Sequence, residues 1–228
     1  MISSYPISPF PTYTVDVRPL GPHGPDVFVG TKRGAGQPKR TTTLCLTRTG
    51  AWQRLIEADM ERTLPPMFVE DFEPLCDALE VVERSRVALQ AYPQLTMALD
   101  PNTPQSLAQQ AVHEGFVWLR RLAVAVIDLQ DHYAQLPDTS VFAPFVGRVL
   151  AAGACDLNVA DALLGTNLVV LKRAELGTGI DIHFAVDPRL YLDDAWGLDL
   201  ARAWWQTRSE KEACMHDALA QISQIPQI

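Results

Sequence analysis

The sequence lacks the short patterns that would name its chemistry. Cys45, Cys76, Cys155 and Cys214 stand far apart and form no C-x-x-C pair, which argues against a structural zinc site, since those draw on paired spacing. No apolar run approaches the roughly 18–20 residues that cross a bilayer. The start, Met1-Ile2-Ser3-Ser4-Tyr5-Pro6, has no positive region followed by an apolar stretch and does not read as a secretory signal. Four isolated thiols without an export signal fit a reduced, cytoplasmic protein with no membrane partner. A G-x-x-x-x-G-K-[ST] phosphate loop, a G-x-G-x-x-G after a strand and a G-x-S-x-G elbow are all missing. His113-Glu114 does not open a zinc-protease motif, because Val117 stands where the second histidine would fall. These absences leave no positive case for an enzyme, a cofactor or a metal, and none of the three is expected.

What the chain does have is a lopsided charge. Residues 1–50 carry Arg18, Lys32, Arg33, Lys39, Arg40 and Arg48 against Asp16 and Asp26, a net of +4. The other residues carry thirteen basic against twenty-five acidic side chains, a net of −12, which brings the chain to its total of −8. A basic, glycine-punctuated arm on an acidic body points to an anionic partner for the arm. The length of 228 residues and the 47% hydrophobic content suit one large domain or two small ones with a sizeable core.

Local patterns divide the chain into a β-rich head and a helical body. Pro6, Pro9 and Pro11 make an extended lead-in. The alternating stretch 12–18 predicts a strand, 27–29 a second and 41–47 a third, with a basic loop over 30–40. From about residue 51 helical spacing takes over. Short helix 51–62 is halted by Pro65 and Pro66, and the next is capped by Asp71, with Phe72, Leu75, Leu79, Val82 and Leu89 on its apolar stripe. Thr103-Pro104 opens a long helix reaching Leu136, with Leu107, Ala111, Phe116, Leu119, Ala123, Val126 and Leu129 on or near one stripe. Residues 141–154 and 159–164 read as two shorter helices, 168–176 as helix or strand, 180–186 as a strand, and a last helix starts at Asp194 or Asp199. The expected class is α+β with helix dominant: a small head over 1–50 and an acidic body over 51–228, which could form one continuous domain.

The clearest binding feature is the segment Lys32-Arg33-Gly34-Ala35-Gly36-Gln37-Pro38-Lys39-Arg40. Four cations within nine residues can neutralise phosphates and release counterions. The competing reading is a solvated loop balanced by Glu57, Asp59 and Glu61. In the following strand Leu44 and Leu46 would face a core, while Thr41, Thr43, Cys45 and Thr47 would face outward, bracketed by Lys39, Arg40 and Arg48. Hydroxyls on one face of a ribbon can reach base edges while neighbouring cations hold phosphates. Equally, 41–47 could be an inner strand of a small sheet with 12–18 and 27–29.

A strand, a short helix and a longer helix over residues 41–91 resemble in layout the ribbon-helix-helix regulators, which pair such strands across a dimer. The string TTTLCLTRTGAWQRL is similar to the start of accessory regulators carried by conjugative mobile elements. The outward face departs from that pattern, since it holds no Arg, Lys, Asn or Gln. A second likeness is to a helix-turn-helix over Val159–Arg173, in which Lys172 and Arg173 would touch phosphate and 180–186 would be a wing. Its recognition helix would open on Leu168-Val169-Val170, an apolar run more naturally buried or placed in a hairpin with 180–186.

Other constellations are plainer. Asp128, Asp131 and His132 could hold a metal or simply form a polar helix end. Asp181 and His183 share a strand face with no nucleophile beside them. Trp204 and Trp205 cannot face the same side of a helix, so one is expected at the surface or at a protein interface. The sequence therefore predicts a non-enzymatic, DNA- or RNA-binding regulator, or an accessory subunit of a nucleoprotein assembly. Its phosphate contacts would be Lys32, Arg33, Lys39, Arg40, Thr43, Arg48, Lys172 and Arg173. The alternative is an inhibitor or adaptor that meets a protein partner, or a second copy, through its acidic helical body.

Overall fold

In the computed structural model the described residues are 10–34, 39–65, 69–90, 104–137, 140–164, 169–176 and 179–186. Three strands, β1 (Thr12–Pro19), β2 (Asp26–Arg33) and β3 (Arg40–Thr41), precede four helices, α1 (Arg48–Met60), α2 (Val69–Gln90), α3 (Gln105–Gln135) and α4 (Ala143–Leu164). A hairpin of β4 (Val169–Leu176) and β5 (Gly179–Val186) follows. The chain is α+β with helix dominant: a small antiparallel sheet at the start, then helices.

Contacts divide the chain into two units. One comprises Pro9–Arg84 and Ala125–Ala152; the other comprises Met1–Ser8, Ser85–Val124 and Gly153–Ile228.

In the first unit the sheet order is β1-β2-β3, all antiparallel. The β1–β2 connection closes with Leu20 N–H donating to the Pro25 carbonyl at 3.1 Å. Gly21 takes φ +87°, a conformation that favours glycine because it has no Cβ. β2 is longer than its apolar core predicts. Residues 30–33, expected in the basic loop, continue the strand, because Thr31 and Lys32 pair with both β1 and β3. The sheet packs on α1 across Gly30, where a Cβ would lie 2.4 Å from Leu55 Cγ.

The expected strand over 41–47 is corrected. Only Arg40 and Thr41 form β3, and Cys45 adds an isolated bridge to Phe28. Leu44 and Leu46 do not face a core: they are 58% and 78% exposed. Nor is the segment an inner strand, since β2 occupies the middle. Thr47 ends it by capping α1, its hydroxyl accepting the Gly50 N–H at 3.0 Å. The α1 helix therefore starts at Arg48, three residues before the apolar spacing begins.

Around the sheet the unit buries Val15, Val29, Trp52, Ile56, Leu79 and Val82, with Phe145 and Val149 from α4. Tyr13 and Phe145 meet edge to face at 5.0 Å, and Phe72 lies 5.0 Å from Phe142. The outer edge of β1 is partly covered, because the buried Glu83 carboxylate accepts the Tyr13 N–H at 3.0 Å.

The second unit buries Leu89, Phe116, Leu119, Leu122 and Leu157. It also encloses an ion pair, Arg86 Nε to Asp156 Oδ2 at 2.7 Å, with Gln90 Nε2 donating to the same oxygen at 2.9 Å. Three expectations change in the helices. The separate helices expected over 141–154 and 159–164 are one, α4, because burial of Leu157, Val159 and Ala160 outweighs the weak local propensity of Asn158. Asp71 lies inside α2 and does not cap it. Leu107, expected on the α3 stripe, is 51% exposed.

Residues 169–176 are a strand, paired with β5 from Val169–Val186 to Leu176–Gly179. The helix-turn-helix reading is thereby corrected: a β-branched apolar run closed by a hairpin pairs as a strand, and Lys172 and Arg173 sit on β4 opposite His183 and Ile182. The expected final helix, with Trp204 and Trp205, lies outside the described residues.

Candidate anion-binding groove

Cross-strand register builds the site. Tyr13, Lys32 and Arg40 lie abreast on β1, β2 and β3 and so share one face of the sheet. That face meets α1, which presents Asp59. The Asp59 carboxylate accepts the Tyr13 hydroxyl at 2.8 Å and Lys32 Nζ at 2.5 Å on one oxygen, and Arg148 on the other. Burial pushes the Asp59 carboxyl up, but the hydrogen bonds from Lys32 and Tyr13 and the Arg148 charge outweigh it and hold the group below the usual carboxylate range. Burial first, and then the Asp59 charge, push the Tyr13 hydroxyl far above its ordinary value. Two cations placed abreast repel each other, and Asp59 neutralises Lys32, so Arg40 can stand beside it at the edge.

The basic residues named from the sequence therefore split into two groups. Lys32 is half-buried and committed to Asp59. Arg48 is committed to Asp77 and to Glu80, the latter at 3.3 Å. Both are internal ties to the acidic body; the Lys32–Asp59 pair is one the competing reading of the loop named, whereas Arg48 lies outside that loop. Arg33, Lys39 and Arg40 are exposed, and among the described residues they make no ion pair. Thr43 is exposed, and its carbonyl accepts the Thr42 hydroxyl at 3.1 Å. The Thr42 hydroxyl in turn accepts the Gly30 N–H at 3.0 Å and fastens the segment to β2. Lys172 and Arg173 belong to the other unit.

Beside β3 opens a groove of about 510 Å³. It is lined by the cations Lys32, Arg40, Arg54 and Arg62, the hydroxyl run Thr41, Thr42 and Thr43, and the carboxylates Glu57 and Glu61. Glu57 is occupied: it pairs with Arg54 at 2.8 Å and accepts the Leu64 N–H at 3.1 Å. Arg62 donates to the Val141 carbonyl at 3.2 Å and is otherwise exposed. Glu61, just past α1, has φ +53° and no side-chain partner among the described residues. The arrangement can take an anion, with guanidinium groups as bidentate donors and hydroxyls as adaptable ones.

Sequence reasoning missed Arg54, Arg62 and the groove-lining position of Glu61. It placed Glu57, Asp59 and Glu61 beside the loop only as counter-charges. The available signal was the i, i+3 pair Arg54–Glu57 running into the Glu61-Arg62 dipeptide, which puts both signs along the C-terminal half of α1 and just past it.

The other constellations acquire no support. Asp128 and Asp131 are exposed and His132 is half-buried, and among the described residues no three His, Cys, Asp or Glu side chains group as metal ligands. Burial raises the Cys45, Cys76 and Cys155 thiols, that of Cys155 to about 11, so they stay protonated at neutral pH. Among the described residues no helix is long and apolar enough to cross a membrane. No protein family, no curated protein and no solved structure matches the chain.

Proposed function

We propose that this chain is a non-enzymatic nucleic-acid-binding protein of the cytoplasm, a regulator or accessory subunit of a nucleoprotein assembly. It grips phosphates in the groove and along the edge beside it. One observation carries the reading. Arg33, Lys39 and Arg40 are exposed and unpaired among the described residues, and Arg40 lines a concavity together with Arg54 and Arg62. The cations extend beyond the groove, so the ligand that satisfies them has charges spaced along a chain and is not a single phosphate. The order β3, α1, α2 is that of the ribbon-helix-helix layout, but β3 is two residues long and pairs with β2 of the same chain.

Arg40, Arg54 and Arg62 changed together to Ala should weaken oligonucleotide binding at least tenfold at low salt, read by fluorescence anisotropy, with the urea midpoint unchanged. Undiminished binding by that variant, or no binding of DNA or RNA by the parent chain, contradicts the proposal. A second reading, a protein-interaction module, is favoured by the exposed Leu44 and Leu46 and by the net −12 of residues 51–228. Under it, Leu46→Glu abolishes capture of a protein partner and leaves nucleic-acid affinity untouched.

A further inference from the structure

Glu61 breaks two local rules at once. It holds a left-handed conformation that normally falls to glycine at a helix end, and it puts a negative charge at the negative end of the α1 dipole. Each costs stability, and no hydrogen bond or ion pair to its carboxylate among the described residues compensates. Unpaid violations of this kind concentrate at functional sites. Glu61 also lines the groove, where a bare carboxylate would oppose a ligand that offered nothing but phosphate.

We infer that Glu61 is the specificity-determining residue of the groove, and that the ligand is a single strand placing an unpaired guanine there. The inference rests on the nucleic-acid reading above and deepens it. The ligand must present anionic oxygens to Arg40, Arg54 and Arg62 and, within the same cavity, N–H donors to Glu61. A nucleotide does both. Its base must be unpaired, because in a duplex the donors of the Watson–Crick edge are already taken.

Among the bases guanine fits a carboxylate best. Its edge carries two adjacent donors, N1–H and the N2 amino group, matching the two acceptor oxygens of a carboxylate. Thymine and uracil offer one N–H between two carbonyl oxygens that repel it. Adenine and cytosine offer one amino group beside an acceptor nitrogen. No aromatic side chain lines the groove, so stacking, which tolerates every base, does not blur the choice.

The test uses the full chain at low salt with three oligodeoxynucleotides of equal length: alternating guanine–thymine, the same with hypoxanthine for guanine, and oligothymidine. The guanine strand should bind about tenfold tighter than oligothymidine, as one bidentate base contact provides, with the hypoxanthine strand between them. Glu61→Gln should close the gap from both sides, weakening the guanine strand and tightening oligothymidine as the repulsion disappears. A merely structural role would move both affinities the same way. Glu61→Gly, which relieves the backbone conformation, should lose the preference too and so guards against a folding artefact. Equal binding of all three strands by the parent chain, or a guanine preference that survives both substitutions, overturns this inference and leaves the phosphate reading standing. Failure of every strand to bind overturns both.

Discussion

Asp59 shows how one side chain can decide the use of its neighbours. By accepting from Tyr13, Lys32 and Arg148 it ties β1, β2 and α4 to α1 and withdraws Lys32 from solution. Its side chain is 5% exposed, while Lys32 is 26% and Arg148 48% exposed. Asp59→Asn should therefore cost about 2 kcal/mol, below the cost of breaking a fully buried pair, measured by urea unfolding at neutral pH. The folded-state pKa of Asp59 lies below its unfolded value, so its contribution is complete above the unfolded pKa of about 4 and is lost as pH falls through the lower, folded value. The parent chain should lose more stability than Asp59→Asn on acidification; parallel loss would remove Asp59 as the cause. A fully buried pair sits in the other unit. Arg86 and Asp156 are 0% and 1% exposed, so Arg86→Met alone should destabilise by about 3–5 kcal/mol, and adding Asp156→Leu should recover much of that. A double variant no better than the single would show that the site needs its charges.

At the scale of elements, Gly30 and Leu55 set the distance between sheet and α1. A Cβ at position 30 would collide with the branch point of the Leu55 side chain, so Gly30→Ala should cost about 1–3 kcal/mol by thermal unfolding. Leu55→Ala in the same chain should relieve part of the strain, and the double variant should unfold less easily than the two single costs added together predict. The same elements show what the sequence could and could not reveal. The apolar stripes of α2 and α3 were legible because Phe72, Leu79, Val82, Leu119, Val126 and Leu129 repeat at helical spacing and are all buried. The stretch 41–47 was not legible. Its alternation of Thr and Leu imitates a half-buried strand, yet Thr42 and Thr47 spend their hydroxyls on Gly30 and Gly50, and the leucines are left in solvent. Residues 169–176 were ambiguous because an apolar run carries no period, and only pairing with β5 settles it. The groove could not be read ahead of the fold, since it depends on register: Lys32 and Arg40 are eight positions apart in sequence and abreast in the sheet.

Across the whole molecule, the charge division seen in the sequence acts in two ways. The acidic body claims Lys32 and Arg48 through Asp59, Asp77 and Glu80 and pairs Arg54 with Glu57, and it leaves Arg33, Lys39, Arg40 and Arg62 exposed. A net charge of −8 should repel nucleic acid at long range, so binding must come from the local cluster and should vanish within ordinary ionic strength. The most direct test of that claim is the salt dependence of single-strand binding by the full chain. With three to five phosphates neutralised, the plot of log affinity against log salt should fall with a slope between about −2 and −3.5, and changing Arg40 to Ala should make it shallower by about 0.7. A flat plot, or a slope unmoved by that substitution, would contradict the account.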